Sequence, residues 1–469
     1  MSLSSLSATE MARGFRDRRF TPSEVTESVL ATIAAVDPTI NAYVTVDHDA
    51  AREAAAAATS RFDTDTAIGL LDGIPVSIKD VVLTSRWPTR RGSAAFAPAE
   101  PTGVDAPVSA ALARSGAVVV GKTTTPELGW KAVTDSPLDG ITRNPWDSDL
   151  TPGGSSGGAS AAVATGMAPI AIGSDGGGSI RIPAAFTGVV GLKPTRGRVP
   201  LWPASPFGLL SHVGPLARTV PDIALSMNIV GGPDHRDMSF DHRTHGTMAP
   251  IVKAAEIADL RVGYLIDHPD LATASEVRTA VSGALAAFED AGARLAELRL
   301  PLSGLSEVFT TLWYVGAAAA TESGASLERL DPGLRRIVDI GQRTTAVEYH
   351  RAILARESFI RAMNETFEDY DVVITPTVPI LPFAVQRDVP DGWYSEDWAT
   401  WTPFTWPFNI TGGPAISVPC AVADGTLPVG LQIAGPYARD STVISVAAAF
   451  EELRGEVHYP LVSPGTVGR

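Results

Sequence analysis

The stretch LTPGGSSGGAS, Leu150–Ser160, decides how the rest of this chain is read. Four glycines and two adjacent serines have the look of a flexible linker, which would divide the chain into two halves. The same letters satisfy G-x-S-x-G twice, centred on Ser155 and on Ser156, a nucleophile pattern in some hydrolases. A third reading is a packed loop with a different chemical role. The flanks speak against the linker. The stretch runs at once into ASAAVATGMAPIAIGSD, an apolar, element-forming sequence.

Working outward, helical patterns fill about the first 65 residues. TPSEVTESVLATIAAV opens with Thr21 as N-cap, Pro22 at the first helical position and Glu24 in the capping-box position. HDAAREAAAAATSRF reads as an Ala-rich helix, and LLDGIPVSIKDVVLT as a strand carrying Lys79 at its end. DAPVSAALARSGAVVVGKTT gives helix, glycine turn and buried strand. Beyond residue 250, LRVGYLIDH, SEVRTAVSGALAAFEDAGARLAELRL and DYDVVITPTVPILPF continue the alternation of strand and helix. That alternation predicts an α/β fold with a mostly parallel sheet. A single large domain, 1–469, is expected: a helical region about 1–65, a core about 66–230 and a further part about 250–469. The polar, periodless segment at about 232–250 is the candidate boundary.

Bulk properties narrow the function classes. With 45% hydrophobic and 19% charged residues, 469 residues suffice for a large core, and disorder is excluded. The net charge of −15 opposes nucleic acid as a main partner. The single cysteine, Cys420, cannot form an internal disulfide, and its apolar setting AISVPCAVA predicts packing rather than catalysis. No leader-like segment and no run of about 18 apolar residues occurs, so a cytoplasmic protein with no membrane association is expected.

Two motifs lose to their surroundings. GAVVVGKT, Gly116–Thr123, matches the phosphate-binding G-x-x-x-x-G-K-[ST] letter for letter. A helix precedes it, however, and its interior is a strand-forming Ala-Val-Val-Val, whose amides a sheet ladder would consume. His235, His242 and His245 cluster in the polar segment without metal-ligand spacing and read as a solvated loop.

What remains is a pair of serine-glycine loops 24 residues apart, GGSSGG and GSDGGGSIR. Gly176, Gly177 and Gly178 leave successive amides unobstructed before Ser179. An anion-binding nest beside a hydroxyl is what acyl transfer requires. No histidine is obviously placed as base. Lys79 ends an apolar strand, where desolvation would yield a neutral amine able to take a proton. The competing reading of Lys79 is a salt bridge with Asp80 or Asp175.

Taken together, LDGIPVSIKD, TRNPWD, TPGGSSGGASAAVATGM, GSDGGGSIRIPAAFTGVVGLKPTRGRV, GPLARTVPDIA and NITGGPAISVPC…PVGLQIAGP resemble the amidase signature family over nearly the whole chain. The resemblance implies a compact α/β fold around a large mixed, twisted sheet flanked by helices. It implies a Ser–cis-Ser–Lys triad in which Ser179 is the nucleophile, Lys79 the base and Ser155 the relay, held by a cis peptide after Gly154. The amides of Gly176, Gly177, Gly178 and Ser179 would form the oxyanion hole, with Ser156, Asp175 and Arg181 in support. No metal or cofactor is implied. Gly176 and Thr187 stand where the family often has Thr and Cys, respectively.

The family spans several amide chemistries, including aryl acylamidases, carbamate hydrolases and the glutaminase subunit of a tRNA-dependent amidotransferase. In that subunit a carboxylate just before N-x-x-G-x-P grips the substrate's amino group. Here TWTPFTWPFNITGGP has no acid between Thr400 and Asn409. It offers Trp401, Phe404, Trp406 and Phe408 instead, joined elsewhere by Trp130, Trp313 and Tyr314. Read as pocket rather than core, these predict an apolar or aromatic amide or carbamate as substrate. Two alternatives stand: the amidotransferase subunit, which needs a partner chain, and an α/β-hydrolase with Ser155 or Ser156 as nucleophile and His458 as base. A homodimer is a further expectation.

Overall fold

The computed structural model describes residues 2–96, 99–237, 239, 256–321, 327–423, 427–455, 457 and 459. The chain opens with helices α1 (Ala8–Arg16) and α2 (Pro22–Ile40), each closed at its start by a capping box, Ser7 with Glu10 and Thr21 with Glu24. Strand β1 (Tyr43–Val46) and the Ala-rich α3 (His48–Asp63) follow. Next come β2 (Pro75–Lys79), α4 (Pro107–Arg114), β3 (Val118–Thr123) and a small hairpin of β4 (Asp135–Ser136) and β5 (Gly140–Ile141). The serine-glycine loops lie around α5 (Gly157–Ala164), β6 (Ile170–Asp175) and α6 (Arg181–Thr187). Then follow β7 (Val190–Lys193), β8 (His212–Ala217), α7 (Val220–Val230), β9 (Arg261–Tyr264), α8 (Ser275–Asp290) and β10 (Arg294–Glu297). The chain continues through α9 (Leu305–Thr321), α10 (Pro332–Arg343), α11 (Ala346–Asp369) and β11 (Val372–Pro376). It closes with α12 (Pro407–Thr411), β12 (Ala415–Ala423), β13 (Leu427–Ala434) and α13 (Asp440–Arg454).

Eleven strands form one sheet in the order β1-β3-β2-β6-β8-β7-β12-β13-β11-β9-β10. The sheet is mixed, which corrects the mostly parallel expectation. β2 runs parallel to β3 and β6, and β9 to β10 and β11. From β6 through β8, β7, β12 and β13 to β11, every pairing is antiparallel. The physical reason is connection length: β12 and β13 are separated by three residues and pair as a hairpin, too short for a parallel crossover.

Strand alternation divides the core between the two faces of the sheet. Val76, Ile78, Ile374, Ile416 and Ile433 join one hydrophobic cluster with residues of α1, α4, α7, α8 and α13. Val373, Ala415 and Ala434 belong to a second, aromatic-rich cluster with residues of α9 to α12. On β2 the same alternation turns Ser77 and Lys79 away from Val76 and Ile78. Lys122, from the phosphate-loop look-alike, sits in β3 with its Nζ 2.9 Å from Asp80 Oδ1 and 2.9 Å from the Val82 carbonyl. Its strand pairs on both sides with β1 and β2, so the motif is sheet.

Candidate active site

Leu150–Ser160 is a packed turn leading into α5. A Cβ on Gly154 would lie 2.4 Å from the Val133 carbonyl oxygen, and one on Gly158 would lie 2.2 Å from Thr124 Oγ1. These glycines serve close approach, not flexibility. The Gly154–Ser155 peptide is cis. Ser155 and Ser156 are both buried, and the Ser156 amide donates to the Ser179 carbonyl at 3.1 Å, tying the two serine loops together.

Lys79 is fully buried, and its Nζ meets three hydroxyls: Ser155 Oγ at 2.7 Å, Ser156 Oγ at 3.0 Å and Ser174 Oγ at 3.0 Å. Burial pushes its pKa down to about 7, against the opposing field of Asp175. Neither Asp80 nor Asp175 takes it as a salt-bridge partner: Asp80 lies against Lys122, and Asp175 holds Arg181. Ser174, the last residue but one of β6, is a site residue that sequence reasoning missed; its place beside Asp175 in GSDGGGS is the one local hint.

Asp175 and Arg181 form a fully buried bidentate pair, Nε to Oδ2 and Nη2 to Oδ1, each at 2.9 Å. Arg181 also donates to the Thr405 carbonyl, to Gln432 Oε1 and to Asn409 Oδ1. Asn409 in turn donates to Asp175 Oδ1 at 2.8 Å. Burial raises the Asp175 carboxyl, but Arg181 and Asn409 outweigh it and hold the group well below the usual carboxylate range. Asn409 and Gln432 stand in NITGGP and PVGLQIAGP, segments legible as motifs although neither role was. Asp175 Oδ1 also accepts the Gly178 amide at 2.7 Å. Of the four amides expected around an oxyanion, that of Gly178 is thus already bonded to a carboxylate. The amides of Gly176, Gly177 and Ser179 have no acceptor among the described residues.

Ser155, Ser174, Gly176 and Ser179 open together onto a cavity of about 200 Å³. Its wall is largely apolar, from Val81–Leu83, Val108 and Leu128 to Trp202 and Phe207, with Arg91, Asp175, Ser205, Ser211 and His212 as further polar members. His212 Nδ1 donates to the Leu210 carbonyl at 2.9 Å, and burial holds the ring neutral. The Amidase family model matches residues 24–444.

The chain belongs to the amidase family. It is 36% identical over 463 residues to an acylamidase of Rhodococcus erythropolis, covering 96% of this chain and 95% of that protein. It is 35% identical to a glutamyl-tRNA(Gln) amidotransferase subunit of Chloroflexus aurantiacus, covering 92% and 93% of the two. A bacterial aryl acylamidase of the amidase signature family superimposes with a TM-score of 0.87 at 29% identity, covering 96% of each chain. The mixed sheet flanked by helices is thus the amidase signature fold, and the chain is an amidase signature hydrolase.

In this amidase-family chain, one of the seven aromatic residues read as pocket from the sequence, Trp313, lines the cavity. Trp130, Trp401, Phe404 and Trp406 are at most 2% exposed and belong to the aromatic-rich core. Trp401 stacks on Phe186, Trp406 stacks on Phe309, and the Tyr314 hydroxyl bonds to Asp397. Phe408 is core as well. What this cluster does is back the glycine loop. A Cβ on Gly176 would lie 2.7 Å from Trp313, and one on Gly177 2.8 Å from Phe309. Trp202 and Phe207, which carry no signal in the sequence, face the cavity on a segment containing a cis Trp202–Pro203 bond. His242, His245 and His458 lie outside the described residues. Cys420, in β12, donates to the Val429 carbonyl of β13, and burial pushes its pKa up to about 12. No helix among the described residues is long and apolar enough to cross a membrane.

Proposed function

We propose that this protein hydrolyses the C–N bond of linear, non-peptide amides through a serine acyl-enzyme, with carbamates and esters within reach. The observation that carries the reading is the Lys79 amine, buried against three hydroxyls with its pKa near 7. A neutral amine has two N–H donors and one lone pair. Ser156 Oγ already donates to the Ser174 carbonyl at 3.1 Å, so toward Lys79 it accepts. With Ser174 Oγ as the second acceptor, the lone pair is left for the proton of Ser155, the shortest of the three contacts.

From this follows the catalytic sequence. Lys79 takes the proton of Ser155, Ser155 takes that of Ser179, and Ser179 Oγ attacks the carbonyl. In this scheme the oxyanion is held by amides of the glycine loop, among which those of Gly176, Gly177 and Ser179 have no acceptor among the described residues. Running backward, the relay protonates the leaving amine, and water then releases the acid by the same path. The scheme uses no cofactor. Asp175 and Arg181 hold the loop, and Asp175 spends the Gly178 amide in doing so. The acylamidase and aryl acylamidase similarities favour an acyl amide of an apolar or aromatic amine as substrate.

Incubating the protein with an anilide and measuring its intact mass tests the proposal. The expected result is an acyl adduct on the wild type and neither adduct nor turnover in Ser179→Ala. Turnover retained by Ser179→Ala overturns it.

Similarity to amidotransferase subunits favours a second reading, a glutaminase dependent on a partner. Against it, the acid on the cavity wall, Asp175, is fully engaged by Arg181 and Asn409, leaving no carboxylate there to bind an α-ammonium group. The isolated chain, eluting alone from a sizing column, is expected to cleave anilides and leave glutamine intact; the reverse selectivity would favour the glutaminase reading.

A further inference from the structure

Arg91 stands on the wall of the cavity that holds Ser155 and Ser179. Its backbone is in the left-handed region, at φ 59°, and its amide donates to Asp80 Oδ2 at 2.9 Å, so the residue is fixed at its root. Its guanidinium has neither a hydrogen bond nor an ion pair among the described residues. The neighbouring Arg90 is satisfied by Asp139 at 3.0 Å and by the Val44 carbonyl. Asp80, whose field reaches Arg91, is spent: Oδ2 accepts the amides of Arg90 and Arg91, and Oδ1 lies 2.9 Å from Lys122.

The other groups on the wall give this cation no counter-charge. Asp175 is held by Arg181, and His212 is a neutral ring. The wall that Arg91 shares is largely apolar, with Val82, Leu83, Ala106, Val108 and Leu128 among its members. Burial lowers the pKa of Arg91, the mark of a cation partly removed from water. A planar guanidinium in that setting, in a chain of net charge −15, is a local exception that suits a carboxylate.

We propose that Arg91 is a specificity-determining residue that binds a carboxylate carried by the substrate, so that the preferred substrates are amides with an anionic end joined to the scissile carbonyl or nitrogen by an apolar body. This rests on the hydrolase reading above and names the substrate class of that site.

Two matched pairs test it by arylamine release. Glutaranilate against hexananilide places the carboxylate on the acyl side. 4-Acetamidobenzoate against 4-isopropylacetanilide places it on the amine side. The wild type is expected to prefer the carboxylate member of one pair by about tenfold or more in kcat/KM. In Arg91→Met that ratio falls to about 1, mainly through KM, and in Arg91→Lys it is intermediate, because the charge remains and the fork is lost. Arg91→Lys also serves if the methionine variant does not fold. Cleavage of the neutral anilides with no preference in either pair overturns the Arg91 proposal and leaves the hydrolase reading standing. If none of the four is cleaved, the hydrolase reading falls. Calorimetric binding of glutaranilate and 4-acetamidobenzoate to the wild type and to Arg91→Lys then decides the carboxylate site. Weaker binding of either in the variant supports it, and equal binding of both overturns it.

Discussion

At the scale of single residues, the proposed mechanism depends on a lysine kept from its usual charge. Burial removes the water that would stabilise the ammonium, and the nearest carboxylate of consequence, Asp175, is bound to Arg181. Below a pKa of about 7 Lys79 is protonated and has no lone pair for Ser155. The expected pH profile of kcat/KM therefore rises about tenfold per unit up to about pH 7 and levels above it. Lys193 is pushed to about 7 as well, by burial and by Arg181, but it donates to the Pro194 and Gly413 carbonyls outside the cavity wall. Lys193→Met is expected to keep the acid limb; its disappearance would move the titration away from Lys79. In the proposed relay Ser155→Ala leaves Ser179 in place but breaks the proton path, and kcat is expected to fall by about 10³-fold or more with KM little changed. Ser155 is legible in the sequence because its motif is local and dense. Ser174 is not, because its contact with Lys79 joins residues 95 positions apart.

At the scale of elements, the N-terminus of α5 is pressed against β3 and the segment after it. Gly158→Ala would place a methyl 2.2 Å from Thr124 Oγ1 and 2.6 Å from the Ala42 carbonyl oxygen. A cost of about 1–3 kcal/mol is expected, read as a lower urea midpoint at unchanged slope. Most helices are legible from their ends: Thr21, Pro22 and Glu24 start α2 where the capping pattern puts them. Strand β1 is not, since four residues between two helices carry little periodicity. Nor is strand direction. Alternating strand and helix says that elements follow one another, while the pairing partner is chosen by packing across the sheet.

At the scale of the molecule, the aromatic residues divide by burial. Trp401 is core, fully buried on Phe186, and Trp401→Ala is expected to cost about 3–5 kcal/mol in chemical denaturation. Trp202 faces the cavity under the Arg236 guanidinium, 4.8 Å from its ring centroid. Trp202→Ala is expected to raise KM for an anilide several-fold with a smaller loss of stability. A reversed pattern in kinetics and melting would return the Trp401 segment to the pocket wall.

The sequence by itself determined the family and marked the two serine loops and the lysine strand as the candidate site, because each is written in contiguous residues whose backbone roles allow few substitutes. It dismissed the linker reading of Leu150–Ser160 and the phosphate reading of Gly116–Thr123 from their neighbours alone. Only the tertiary structure decided which amides beside Ser179 lack an acceptor, which aromatic rings meet the cavity, and that the Arg91 guanidinium has no hydrogen bond or ion pair among the described residues. Those are matters of who is left over once every other donor, acceptor and apolar face has been paired. That remainder is set by contacts between segments far apart in the chain.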